Sequence, residues 1–165
     1  MTTQTLFSSA RGAKVSVPAL TPEDVASLKD MGILLDGDLA WLTRVLSNRN
    51  WAPLSERKDI FARPPREPLA SLNKRRRAAR AFLVGLFQGK VADGYCRDLK
   101  NVWLPELLGR NKWGEMDRER ALAFLEYSMG LLAGALHSEP RENLVPMARI
   151  QAALEHAFQR MLFTI

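Results

Sequence analysis

Hydrophobic residues recur every three or four positions along most of the chain, and no stretch alternates convincingly between apolar and polar residues. This spacing is typical of amphipathic α-helices and predicts an all-α fold. Local signals agree with it: Thr21 is a favourable N-cap, and Pro22 suits the first position of a helix. The predicted helices span residues 22–35, 38–47, 53–61, 69–88, 93–108, 118–137 and 144–163.

Glycine and proline mark the ends of these helices. Pro64, Pro65 and Pro68 break the pattern before the fourth helix, because proline lacks an N–H and clashes with the preceding turn. Gly89 and Gly109 end the fourth and fifth helices, since glycine is favoured just after a helix C-terminus.

The chain divides into a short arm and one domain. Residues 1–18 are small and polar, which predicts a flexible N-terminal arm. Residues 19–165 are numerous enough for a single domain with its own hydrophobic core. Apolar residues make up 47% of the chain and charged residues 25%, which are ordinary globular values and argue against wholesale disorder.

The last two predicted helices are long, and we expect them to form an antiparallel pair. Both are apolar over more than one face, whereas a helix in a monomer needs only one apolar stripe. The surplus predicts a homodimer that forms through these helices; central burial within one chain is the alternative. The candidate interface residues are Leu125, Met129, Leu132, Leu136, Leu154 and Phe158.

The net charge of +6 lies in the first half of the chain, since residues 84–165 hold equal numbers of basic and acidic residues. A basic patch concentrates it, and its members are Lys74, Arg75, Arg76, Arg77 and Arg80. Such a run can neutralise phosphates, but it is also typical of a solvated helix face. No recognition helix or aromatic interleaving accompanies it, so nucleic acid is the less favoured partner.

Residues that carry catalysis or bind metals are scarce. His137 and His156 are the only histidines, and neither has a Cys or His partner at ligand spacing, so we expect no zinc site. There is no glycine-rich phosphate loop and no nucleophile elbow, and we expect no enzymatic activity. The single cysteine, Cys96, fits a reducing, cytoplasmic setting. No apolar run is long enough for a membrane span, and the N-terminus does not resemble a signal peptide.

One passage, "LFQGKVADGYCRDLKNVWLPELLG", residues 86–109, resembles a known family. In the protoglobin-type sensor domains of globin-coupled sensors, one helix ends in an aromatic residue and a glycine. An acidic residue and another aromatic follow, and the haem-bearing helix then ends in Ile-Gly. The corresponding residues here are Phe87, Gly89, Asp93, Tyr95, Leu108 and Gly109. The resemblance extends over residues 20–163 and implies a globin-like helical domain.

The family's proximal haem histidine would fall at or beside Glu106. No histidine occurs before His137, and a carboxylate is a poor axial ligand for haem. Pro105 also removes a backbone donor where the ligand helix continues. We therefore expect no haem bound in the usual way; ligation by His156 from an unusual direction is the alternative.

The resemblance implies a non-enzymatic sensor or regulatory domain that signals to a downstream protein through the packing of dimer helices. A pocket for another ligand would lie beside Phe82, Trp103 and Glu106. Two alternatives stay open: a haem-binding gas or redox sensor with atypical ligation, and a basic helical nucleic-acid-binding module.

Overall fold

The computed structural model describes residues 17–48, 68–110, 113–138 and 147–165. Over these ranges the chain forms helices and no strands, which confirms the all-α prediction. The α-helices are α1 (Pro22–Leu34), α2 (Leu39–Ser47), α3 (Leu69–Phe87), α4 (Asp93–Asp98), α5 (Leu104–Leu108), α6 (Arg118–Ser138) and α7 (Met147–Thr164). A 3₁₀ turn (Asp36–Asp38) precedes α2, and a π-helical segment (Leu99–Trp103) joins α4 to α5. The predicted helix 53–61 and nearly all of the predicted arm lie outside the described residues.

The start of α1 is fixed by a reciprocal cap. The hydroxyl of Thr21 accepts a hydrogen bond from the backbone N–H of Asp24 at 3.1 Å, and the Asp24 carboxylate accepts one from the Thr21 N–H at 3.1 Å. Two N–H groups that have no partner within the helix are thereby satisfied. The predicted roles of Thr21 and Pro22 are confirmed.

The end of α3 is a Schellman turn at Gly89. Its φ is +69°, a conformation that favours glycine, and the N–H of Lys90 bonds back to the carbonyl of Gly85 at 2.9 Å. A Cβ added at Gly89 would lie 2.7 Å from a methyl carbon of Val25. The glycine therefore both ends α3 and lets α1 approach closely.

The π-helical segment has a cause in the sequence. Pro105 has no N–H to offer the carbonyl of Asn101, one turn earlier, and its ring crowds that carbonyl. Just upstream the helix widens, and the Leu104 N–H bonds to the Leu99 carbonyl five residues back. The predicted helix 93–108 is thus helical throughout, but its middle is π-helical.

One hydrophobic core joins all the helices. The α7 helix packs along α1, α2 packs on α3, and α3 also contacts α1, the π segment and α5. Phe82 lies at the centre with no exposed surface, and its ring is 5.9 Å from that of Phe124 and 6.2 Å from that of Phe158. The core therefore draws aromatic side chains from α3, α6 and α7.

The predicted dimer-interface residues mostly belong to this core. Leu125, Leu132 and Leu136 of α6 are buried within the chain, as are Leu154 and Phe158 of α7. Met129 is half-buried. Burial within one chain, the alternative interpretation of these apolar stripes, is sufficient to explain why the five buried residues are apolar. A dimer through α6 would have to use its opposite face.

Candidate functional site

The basic patch does not form one surface. Arg75 is only 6% exposed, and its Nε donates a hydrogen bond of 2.9 Å to the carbonyl of Ser47, the last residue of α2. A cation at a helix C-terminus is favoured by the helix dipole. Arg75 therefore ties α3 to α2, whereas Lys74, Arg76 and Arg77 are exposed around it.

Two of these cations line a groove between α3 and the segment that contains the π helix and α5. Lys74 and Arg77 lie on the α3 wall, and Trp103 and Glu106 lie on the opposite wall. The groove has a volume of about 360 Å³. The structure thus brings two predicted pocket residues together with two members of the predicted basic patch. We call this cleft the α3–α5 groove.

The third predicted pocket residue, Phe82, does not reach the groove. It is fully buried, and its carbonyl accepts a hydrogen bond of 2.6 Å from the Tyr95 hydroxyl. The Tyr95 ring in turn packs edge-on against Trp103, with ring centres 4.9 Å apart and an interplanar angle of 70°. Phe82 and Tyr95 thus form the packed layer beneath the groove, and Trp103 is held on that layer.

Aromatic side chains fill the space around this layer. Phe82, Tyr95 and Phe124 pack together where α3 faces α4 and α6, and the Tyr95 hydrogen bond ties α4 directly to α3. Glu106, which the sequence comparison predicts to lie near the position of a haem ligand, is exposed. A carboxylate there is a poor axial donor.

His156 belongs to a separate cluster of polar contacts between α7, α1 and the residues that precede α1. Its Nδ1 lies 2.7 Å from the Asp24 carboxylate, and its Nε2 lies 3.0 Å from the Pro18 carbonyl. One turn further along α7, Arg160 donates to the Val17 carbonyl at 2.9 Å and to Asp93 at 3.1 Å. The two side chains hold the segment before α1 and the start of α4 against the last helix.

The electrostatics of this cluster favour the ionised carboxylate. Partial burial raises the pKa of Asp24, but hydrogen bonds from His156 and Thr21 outweigh it, and the net pKa is lowered. Burial has the opposite outcome at Cys96, where it raises the pKa of the thiol although the Thr164 hydroxyl and the Arg160 charge favour the thiolate. A buried thiol with a raised pKa is a poor nucleophile.

Nowhere in the described ranges do three or more His, Cys, Asp or Glu side chains gather as a metal ion would require. Within the same ranges, every helix is too short or too polar to cross a lipid bilayer.

The sequence predicts one wall of the α3–α5 groove but not the other. Lys74 and Arg77 are three residues apart, a spacing that places two side chains on the same helix face. The sequence did not reveal that this face lies opposite Trp103 and Glu106. The contact between Asp24 and His156 joins residues that are 132 positions apart, so no local sequence pattern predicts it.

Comparison with known proteins adds no relative: no protein-family profile, no curated protein and no solved structure matches this chain.

Proposed function

We propose that this chain is a globin-like regulatory domain that does not bind haem in the usual way and that signals through the packing of its last helices in a dimer. The observation that carries the proposal is the aromatic layer of Phe82, Tyr95 and Phe124, which occupies the space between α3, α4 and α6. In the family that the sequence resembles, the haem pocket lies beside the helix that corresponds to α4 and α5.

The histidines support the same proposal. His137 is exposed near the end of α6, and both ring nitrogens of His156 face oxygen acceptors. Ligation of haem by His156 would require the loss of its contacts with Asp24 and Pro18.

The dimer part of the proposal uses the face of α6 that points away from the core. Gly130 and Gly134 are exposed there, and a Cβ added at either would meet nothing within 4 Å. Two helices approach most closely where their side chains are small. Half-buried Leu122 and Met129 flank this face and would supply apolar contacts.

Titration of the purified protein with haemin, followed by absorption, tests the haem part. We expect no saturable Soret band. A strong band that persists in His156→Ala would overturn this part of the proposal, and one that vanishes in that variant would favour the alternative of atypical ligation.

Light scattering tests the dimer part. We expect a dimer that Gly130→Arg converts to a monomer, because the new side chain prevents close approach of the two helices. Arginine is a better helix former than glycine, so the monomer should remain folded. Ala40→Arg, on the exposed face of α2, is the matched control and should remain dimeric. A monomeric wild-type protein would contradict this part.

A further inference from the structure

The α3–α5 groove has the size and the mixed lining of a small-molecule site. Its volume of about 360 Å³ falls in the usual range for such sites. Ala78 and Ala81 on α3 contribute small side chains, which leave room between the two walls. The opposite wall includes a π-helical segment, a feature that is frequent at functional sites.

The α3 wall is cationic. Lys74 and Arg77 are exposed and one turn apart, so their side chains can converge on one anion. An arginine and a lysine together provide charge-assisted hydrogen bonds to a carboxylate or phosphate. The neighbouring Arg76 is also exposed but does not line the groove.

The opposite wall offers an apolar surface and one acceptor. Val102 is 49% exposed although it is apolar, and Trp103 is fixed against Tyr95. A tryptophan that is held in place provides a preorganised surface for a flat ring. Glu106 adds a carboxylate that can accept a hydrogen bond but repels a second anion.

We propose that the α3–α5 groove binds a small aromatic carboxylate that also carries a hydrogen-bond donor on its ring. The carboxylate lies against Lys74 and Arg77, the ring packs on Trp103 and Val102, and the donor faces Glu106. The regulatory meaning of this site rests on the proposed function, since the ligand would be the signal that the domain senses. The binding itself does not depend on dimer formation.

Indole-3-acetate is a suitable probe, and ¹H–¹⁵N NMR is the readout. The Trp103 indole signal is assigned from the spectrum of Trp103→Phe. We expect a saturable shift of this signal with indole-3-acetate. Two fragments should bind at least about tenfold more weakly: 3-methylindole, which lacks the carboxylate, and acetate, which lacks the ring.

Matched variants locate the anion. Arg77→Gln should weaken the binding of indole-3-acetate by about tenfold, whereas Arg76→Gln, which removes the same charge outside the groove, should change it by less than about twofold. Equal losses in the two variants would overturn the proposal, because they would indicate only general electrostatic attraction. Binding of an oligonucleotide without any response to indole-3-acetate would also overturn it.

A second comparison tests the role of Glu106. We expect the wild-type protein to prefer indole-3-acetate to 1-naphthylacetate, which has no N–H, and Glu106→Ala to abolish the preference. The charge of the two probes is the same, so the comparison isolates the hydrogen bond. A preference that survives in Glu106→Ala would contradict the assigned role of this residue.

The titration is repeated in Gly130→Arg to separate this inference from the proposed function. Gly130→Arg should bind indole-3-acetate as the wild-type protein does, because the groove lies apart from the proposed dimer face of α6. Saturable binding by a wild-type protein that proves monomeric would refute the dimer part of the proposed function and leave the groove site intact. A dimer that gives no saturable shift with indole-3-acetate would refute the groove site alone.

Discussion

Among single residues, Arg75 shows how one position within a charged run can differ from its neighbours. Five basic residues lie between positions 74 and 80, yet only Arg75 among them is buried. Its guanidinium group satisfies the Ser47 carbonyl, which is itself in a buried residue at the end of α2. Helical periodicity explains the difference, because adjacent residues point about 100° apart around the axis.

Arg75→Ala should therefore lower the free energy of unfolding by about 2–4 kcal/mol, since it leaves a buried carbonyl without its partner and removes packed side-chain atoms. Arg76→Ala, one residue further along α3, should change it by less than about 0.5 kcal/mol. Urea denaturation of the two variants gives the comparison. Equal effects would show that Arg75 is not a structural residue.

Tyr95 predicts a dependence of stability on alkaline pH. Burial, and to a lesser extent the neighbouring Cys96, raises the pKa of Tyr95 well above its ordinary value. Above pH of about 10 the unfolded chain loses this proton while the folded protein keeps it, so stability is full below that pH and falls as the pH rises. Tyr95→Phe has no such proton, so this contribution to the loss of stability at alkaline pH should be absent in the variant.

Denaturation curves between pH 8 and 11 measure the effect. At pH 8, Tyr95→Phe should cost about 0.5–1.5 kcal/mol for the lost hydrogen bond to Phe82. The difference from the wild-type protein should shrink at higher pH, and a constant difference would contradict the prediction. Tyr127→Phe, at an exposed tyrosine of α6, is the control and should leave the curve unchanged.

At the scale of elements, Gly85 sets how closely α4 approaches α3. A Cβ built at Gly85 would lie 2.5 Å from one ring carbon of Tyr95 and 2.8 Å from another. Gly85→Ala should destabilise the protein by about 1–3 kcal/mol, because the Tyr95 ring must shift within a packed core. It should also move the Trp103 indole NMR signal, since Trp103 packs on Tyr95.

Gly94→Ala is the matched control for Gly85→Ala. Gly94 is next to Tyr95 in α4, but a Cβ there meets nothing within 4 Å. This substitution should leave the stability unchanged or raise it by up to about 1 kcal/mol, since alanine is the better helix former. Thermal melts compare the stability of the two variants. A similar loss of stability in Gly85→Ala and Gly94→Ala would mean that the close contact between Gly85 and Tyr95 is unimportant.

The elements themselves could largely be predicted from the sequence, because caps and breakers act locally. Thr21 caps the start of α1, Gly89 lies two residues beyond the end of α3, and Gly109 directly follows α5, as their residue types predict. The π segment could not be predicted in the same way. Pro105 signals a disturbance, but whether a helix kinks, stops or widens depends on the packing around it.

The α3–α5 groove was only partly predictable for a similar reason. Periodicity places Lys74 and Arg77 on one face, but it does not say which element that face meets. Phe82 was predicted to line a pocket with Trp103 and Glu106, yet it lies in the core below Tyr95. Apolar periodicity identifies a face to be buried, and it cannot distinguish a pocket wall from a filled interior.

At the scale of the whole molecule, polar contacts join the two ends of the described chain. His156 and Arg160 of α7 bind the carbonyls of Pro18 and Val17, and His156 also meets Asp24 of α1. These contacts tie α7 to the segment that precedes α1 and to the first turn of α1.

This cluster predicts that stability depends on acidic pH through Asp24. Its pKa is lowered in the folded protein, so the unfolded chain binds more protons as the pH falls through about 4. The stabilisation from the carboxylate is present above that pH and is lost as the pH falls through the folded-state pKa. Asp24→Asn should cost about 1–2 kcal/mol at pH 7, and much less at pH 2.5.

Urea denaturation at the two pH values tests the prediction, with Glu23→Gln as the control. Glu23 is the neighbouring acidic residue, and its 3.5 Å contact with Arg149 is exposed on both sides, so its loss should change the stability by less than about 0.5 kcal/mol. A penalty in Asp24→Asn that is equal at both pH values would mean that the carboxylate acts through its shape alone. A penalty confined to pH 7 would show that the charge of the Asp24 carboxylate, which accepts the Thr21 N–H and contacts His156, stabilises the start of α1 and its packing on α7.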